Sequence, residues 1–111
     1  MIDIEEYLDV DGHSPFAEWL DSLDAVTAAR ITTILLRIEQ GNFGDVAPVG
    51  EGVSERRVDF GPGYRIYFGS AKNPSRTLIV LLGGGSKRRQ QHDIRNAKWR
   101  WKDYRRRKRE E

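Results

Sequence analysis

The pattern of apolar and polar positions changes period twice along the chain. Ile2, Ile4, Tyr7-Leu8 and Val10 alternate imperfectly with acidic residues, which predicts a short first strand ending in a turn at Asp11-Gly12. Phe16, Trp19, Leu20 and Leu23 then fall at i, i+3, i+4 and i+7, the spacing of one apolar helix face. Ser14 can cap that helix, and Pro15 suits its first position because no amide partner is lost there. Asp24 opens a second, longer helix with Ile31, Ile34, Leu35 and Ile38 on the same period, and Gly41 after Gln40 stops it. Two helices with almost no spacer predict an antiparallel hairpin lying on an apolar surface.

Residues 41–52 (GNFGDVAPVGEG) hold four Gly and one Pro and read as a loop. From Val53 the period becomes two. Val58 and Phe60 point to one face, and Glu55, Arg57 and Asp59 to the other. Gly61-Pro62-Gly63 makes a tight connection. Beyond it Tyr64, Ile66 and Phe68 join the first face, while Arg65 and Tyr67 join the second. After a loop at 69–75, Thr77 to Leu82 is apolar on both faces, which predicts the most central strand, ended by Gly83-Gly84-Gly85. Residues 88–108 lack Gly and Pro, and Ile94, Ala97, Trp101 and Tyr104 form a sparse helical stripe among Arg and Lys. The expected fold class is α+β, one domain over residues 1–111 in the order β-α-α-β-β-β-α. An N-terminal helical hairpin packs on an antiparallel β-sheet, and a basic C-terminal helix and tail occupy 88–111.

A chain of 111 residues can bury one modest core and cannot hold a two-domain cleft. It has no cysteine, so disulfides, thiolate zinc sites and a cysteine nucleophile are excluded. His13 and His92 are too few for a histidine-based metal site, although carboxylate sites stay open. No signal peptide is visible at Met1–Glu6, and the apolar run around Leu78 to Leu82 is far short of a membrane span. A soluble cytoplasmic protein without membrane contact is the expectation.

The net charge of +2 conceals a strong polarity. Residues 1–45 carry ten acidic and two basic side chains, residues 46–86 three and five, and residues 87–111 four and twelve. The balances are −8, +2 and +8. A basic layer segregated in this way points to a polyanion, and the plain alternative is a solvated C-terminal helix.

If Val58, Phe60, Tyr64, Ile66 and Phe68 pack under the helices, the opposite sheet face displays Glu55, Arg57, Asp59, Arg65 and Tyr67. Lys87 can join them through the glycine run. Such a face can grip phosphate, with Arg as a bidentate donor, Lys as a point charge and Tyr as a stacking plane. It can equally be an ordinary solvated face on which Arg57 and Arg65 pair across strands with Glu55 and Asp59. Pattern alone leaves both open. Gly83-Gly84-Gly85-Ser86-Lys87 lacks the Gly-Lys-Ser/Thr order of a nucleotide loop, and Gly61-Pro62-Gly63 does not continue as a dinucleotide fingerprint. Ser86 and His92 come with no oxyanion hole, so a serine hydrolase is not indicated, and His92 reads better as a helix-surface residue than as a catalyst. Trp99 and Trp101 could stack bases, but packing the last helix suits one or both better.

Several stretches carry a family resemblance: Phe16-Ala17-Glu18-Trp19-Leu20-Asp21-Ser22-Leu23, Gly41-Asn42-Phe43-Gly44-Asp45, Gly50-Glu51-Gly52-Val53, and the long block from Glu55 to Phe68 (ERRVDFGPGYRIYF). Leu81 to Lys87 (LLGGGSK) and Gln91-His92-Asp93-Ile94 complete it. From about residue 2 to 104 the chain resembles the RelE/ParE superfamily of toxins from type II toxin–antitoxin modules, and within it the HigB-like addiction module killer proteins. The resemblance implies a RelE-like single domain and ribosome-dependent cleavage of mRNA, with translation inhibited and growth arrested. The implied partners are the ribosome, mRNA and a cognate antitoxin with a helix-turn-helix domain, with which the toxin can form a heterotetramer. It implies no cofactor and no metal. Family functional positions fall on Arg57, Arg65 and Lys87, with Tyr67 a weaker match, and these four are the implied catalytic set. Arg56, Arg88, Arg89, Arg95 and Lys98 are candidate RNA or ribosome contacts. The sequence departs from the family pattern at Arg56, where leucine is usual, and at Ser86, where an acidic residue is usual. The same superfamily contains DNA gyrase poisons, so that activity, and a non-catalytic module binding nucleic acid or antitoxin, stand as alternatives.

Overall fold

The helix starts are made as their side chains dictate. The Ser14 hydroxyl accepts the Ala17 amide at 3.0 Å, and the Asp24 carboxylate accepts that of Thr27 at 2.9 Å. The computed structural model describes residues 1–111. It is an α+β domain in the order β1 (Ile2–Glu6), α1 (Pro15–Asp21), α2 (Ala25–Glu39), β2 (Val46–Gly50), β3 (Val53–Arg57), β4 (Tyr64–Asn73), β5 (Arg76–Ser86) and α3 (Gln90–Arg109). A 3-10 turn, Lys87–Arg89, precedes α3. No helix is long and apolar enough to cross a membrane.

The five strands form one sheet in the order β1-β5-β4-β3-β2. Neighbours from β2 to β5 are antiparallel, whereas β1 runs parallel to β5, so the sheet is mixed and not purely antiparallel. A parallel pair needs a long connection, and here both first helices and three strands intervene. The middle strand is β4; β5 lies next to it, apolar on both faces because helices cover both.

The stretch expected to be loop at 41–52 contains β2. Its hairpin closes on Glu51-Gly52, both at positive φ (55° and 83°), which is the backbone a two-residue turn needs between twisted antiparallel strands. Pro48 is tolerated because β2 is an edge strand. Conversely, β3 stops at Arg57, earlier than Phe60, although Val58 still donates its amide to Tyr64. The glycines 83–85 do not end β5, which continues to Ser86. They keep it bare: a Cβ on Gly84 would overlap the Trp19 ring, and one on Gly85 the Asp93 carboxylate.

Hydrophobic burial on the hairpin side follows the two sequence periods. Phe16, Ile31, Ile34 and Ile38 close over Val58, Ile66, Phe68, Ile79 and Leu81, with Phe60 and Tyr64 at the edge. The opposite face is not open. α3 lies across it, and Ala97 and Trp101 pack with Tyr7, Val53, Tyr67, Val80 and Leu82 in a second core. Trp101 stacks on Tyr104 with ring centroids 5.5 Å apart.

Candidate nucleic-acid interface

Strand register sets the site. β3 and β4 place Arg57 directly opposite Arg65, and Glu55 opposite Tyr67. The two-residue period sends all four toward α3. Glu55 is the hub, only 2% exposed. Its Oε2 accepts from Arg57 Nε at 3.2 Å and lies 3.7 Å from Arg65 Nε, while Oε1 accepts from the Gln90 side-chain amide at 2.9 Å. Gln90 thereby ties the first turn of α3 to the sheet.

The two arginines differ in what they have left to offer. Arg57 reaches Asp45 at 3.3 Å, but its side chain is 43% exposed. Arg65 is 12% exposed and donates Nη1 to the carbonyls of Gly63 and Tyr64. Lys87 stands beside it. A Cβ built on Gly63 would lie 3.3 Å from Lys87 Cβ and 3.7 Å from Arg65 Nη1, so the bare backbone at this position (φ 79°) lets both approach. Arg65 therefore pairs with Glu55 across strands and Arg57 along β3, and the exposed Lys87 enters beside Arg65 from beyond the end of β5. Asp59 takes no part, since it lies beyond the end of β3 beside Arg30 and Arg56.

Tyr67 does not sit on a displayed face. It is 0% exposed beneath α3, and its hydroxyl has no hydrogen-bond partner. Burial, then the Asp93 and Glu55 charges, push its pKa up. Arg56 is likewise elsewhere than expected. One residue out of phase with Arg57, it turns to the hairpin side, donating Nε to the Phe43 carbonyl at 2.8 Å and Nη1 to the Arg57 carbonyl. Its guanidinium pins the 43–45 loop to β3. Arg88 and Arg95 are exposed, Arg89 lines a groove described next, and Lys98 reaches Glu51 at 3.6 Å.

A polar groove of about 490 Å³ runs along the bare end of β5 between α1 and α3. Glu18, Arg89, His92, Asp93, Asn96 and Arg100 supply its charged, imidazole and amide side chains. Arg100 donates Nη1 to the Leu82 carbonyl at 2.9 Å. Burial raises the Asp93 pKa against the pull of Arg89, His92 and Arg100. Sequence reasoning did not assemble this group. The available signal was the helical spacing of Arg89, Asp93, Asn96 and Arg100 together with three glycines that leave room for them.

Over 84 residues the chain is 43% identical to a Haemophilus influenzae protein described as uncharacterized, an alignment covering 75% of this chain and 82% of that protein. The chain belongs to that protein's family. No protein-family model matches the sequence, and no solved structure matches it. Family membership thus spans most of the fold, and the chemistry is argued from the side chains that register and packing bring together.

Proposed function

We propose that this protein is the toxin of a type II toxin–antitoxin module, a RelE/ParE-superfamily domain with a RelE-like fold that cleaves mRNA on the ribosome. The observation that carries the reading is the juxtaposition of Arg57, Arg65 and Lys87, held by Glu55 and by the bare backbone of Gly63. The resemblance described above supports it independently.

The chemistry needs little from the protein. The 2′-oxygen beside the scissile phosphate attacks phosphorus, the bond to the 5′-oxygen breaks, and the products are a 2′,3′-cyclic phosphate and a 5′-hydroxyl. Cations that neutralise the growing charge on the phosphorane lower the barrier, and the ribosome supplies the in-line orientation. Arg57 and Arg65 form that clamp, and Glu55 fixes their geometry. Lys87 donates a proton to the departing 5′-oxygen, the 2′-hydroxyl gives its proton to solvent water as it attacks, and Lys87 is reprotonated from solvent. Tyr67 belongs to the packing under α3 in this scheme. The antitoxin restrains the toxin until it is removed.

Purified protein mixed with translating ribosomes should give codon-linked cuts in mRNA, read by primer extension. Arg57→Ala and Arg65→Ala should each abolish the cuts and relieve growth arrest while circular dichroism stays unchanged. Intact message at equimolar protein overturns the reading, and inhibited gyrase supercoiling in the same preparation would replace it with the gyrase alternative.

A further inference from the structure

α3 sorts its charges by side. Arg95, Lys98, Lys102, Arg105 and Arg109 are spaced three, four, three and four apart, and so occupy one flank within an arc of about 80°. This flank borders the buried stripe of Ile94, Ala97 and Trp101 and faces the β2–β3 turn. Its one counter-charge is Glu51, 3.6 Å from Lys98. The acids Asp93 and Asp103 fall on the other flank, where the cations are already engaged. There Arg100 holds the Leu82 carbonyl and Arg107 the Leu8 carbonyl and Asp103, while Arg106, on the outer surface near Trp99, reaches across to Asp103. A helix charged only for solubility would intersperse both signs on its outer surface.

Two further features point to a ligand. Neighbouring residues of the free flank have their Cβ atoms about 5–6 Å apart, comparable to one nucleotide step of an extended strand, and the row runs for about 21 Å. Trp99, between Arg95 and Lys102 on the outer surface, is 63% exposed, whereas Trp101 two residues on is buried. An exposed indole beside a row of cations is the arrangement that binds single strands, phosphates on the cations and a base on the ring. The row begins beyond Lys87 and Arg88, at the end of α3 where Gln90 meets Glu55.

The geometry points to this flank as a track for single-stranded RNA that continues the strand leaving the Arg57–Arg65–Lys87 cluster. It deepens the endonuclease reading and rests on it for the continuity of the strand. The flank offers five phosphate contacts and one stacking position, all sequence-independent.

Fluorescence anisotropy with a labelled oligouridylate of about twelve nucleotides tests the track on the full chain. The double variant Lys102→Ala/Arg105→Ala should weaken binding at least tenfold and lower the slope of log affinity against log salt by about 1.4, two single-strand phosphate contacts. Trp99→Ala should weaken binding about tenfold at unchanged slope. Arg100→Gln/Arg107→Gln removes the same charge from the other flank, keeps the fold by circular dichroism and should change binding less than threefold. Equal losses from the two flanks, no loss from the first, or tighter binding to duplex DNA than to the oligouridylate each overturn the track. Ribosomal cleavage by the unmodified protein is scored in parallel. Cuts with flank-independent binding remove the track and leave the endonuclease standing; flank-dependent binding without cuts does the reverse.

Discussion

The two faces of the sheet are covered by helices in the same manner but filled with different chemistry. Under α1 and α2 the buried side chains are aliphatic or phenyl, and the polar groups stay at the rim. Under α3 the packing encloses the Glu55 carboxylate, the Tyr67 hydroxyl and the Arg65 Nε, of which the last two lack any hydrogen-bond partner. Buried polar atoms left unpaired cost stability, and they persist where an arrangement serves something other than packing. One face holds the domain together, and the other holds a constellation in place at some cost.

The largest effect expected of that difference lies on the hairpin side. Phe16 is buried and packs against Trp19 with centroids 5.8 Å apart. Phe16→Ala should lower unfolding free energy by about 3–5 kcal/mol, measured by urea denaturation, with RNA binding of the remaining folded protein unchanged. A loss below about 1 kcal/mol would mean that this face is no more central to stability than the other.

Glu55→Gln strikes the α3 side and should separate stability from binding. It removes the charge that both arginines share, at a cost of about 2 kcal/mol. That is below the value for a fully buried pair because solvent screens the exposed Arg57. Affinity for the oligouridylate should rise several-fold, since Arg65 then carries uncompensated charge and Arg57 keeps only the exposed Asp45. Denaturation and anisotropy on the same preparation check both halves. Unchanged or weaker RNA binding would show that Glu55 holds the guanidinium geometry more than it neutralises it.

The hairpin side was legible in the sequence because its signals are local. Ser14, Asp24 and the 3.6-residue period of α2 act within a turn or two, and the structure reproduces them. The two-residue period from Val53 likewise sorted Val58, Ile66 and Phe68 from Glu55, Arg57 and Arg65. What sequence could not show was that α3 returns over the polar face. The stripe Ile94, Ala97, Trp101 and Tyr104 is visible, but the surface that it covers is set by a contact between residues far apart in sequence, such as Gln90 with Glu55. That is why Tyr67 read as displayed and is buried. β2 is hidden in the sequence for another reason. Val46 and Val49 flank a proline, and the turn is made by Glu51 at positive φ, a position where Asn or Asp would have announced a hairpin. In the sequence the glycines 83–85 read as punctuation, whereas in the fold Trp19 and Asp93 need that strand to be bare.

The smallest effect expected is one of sign, and it contrasts the faces through pH. On the hairpin side, the backbone amide and then the hydroxyl of Thr27 hold the Asp24 carboxyl below its ordinary value of 3.8. A lowered acid adds stability above its unfolded pKa, and that contribution is lost as pH falls through the folded one. Asp93 on the other side is held above 3.8 by burial. A raised acid contributes fully only below 3.8, and the contribution disappears as pH rises through its folded pKa. At pH 7 the folded chain thus carries Asp93 ionised against its environment. Asp93→Asn should raise the thermal midpoint at pH 7, by a small amount because the carboxylate is partly exposed, and the gain should shrink to nothing below pH 3.8. Asp24→Asn should show the opposite trend, costing stability at pH 7 and little in acid. A lower midpoint for Asp93→Asn at pH 7 would mean that attraction to Arg89, His92 and Arg100 outweighs burial, and that the polar groups beneath α3 are a paired network and not a tolerated expense.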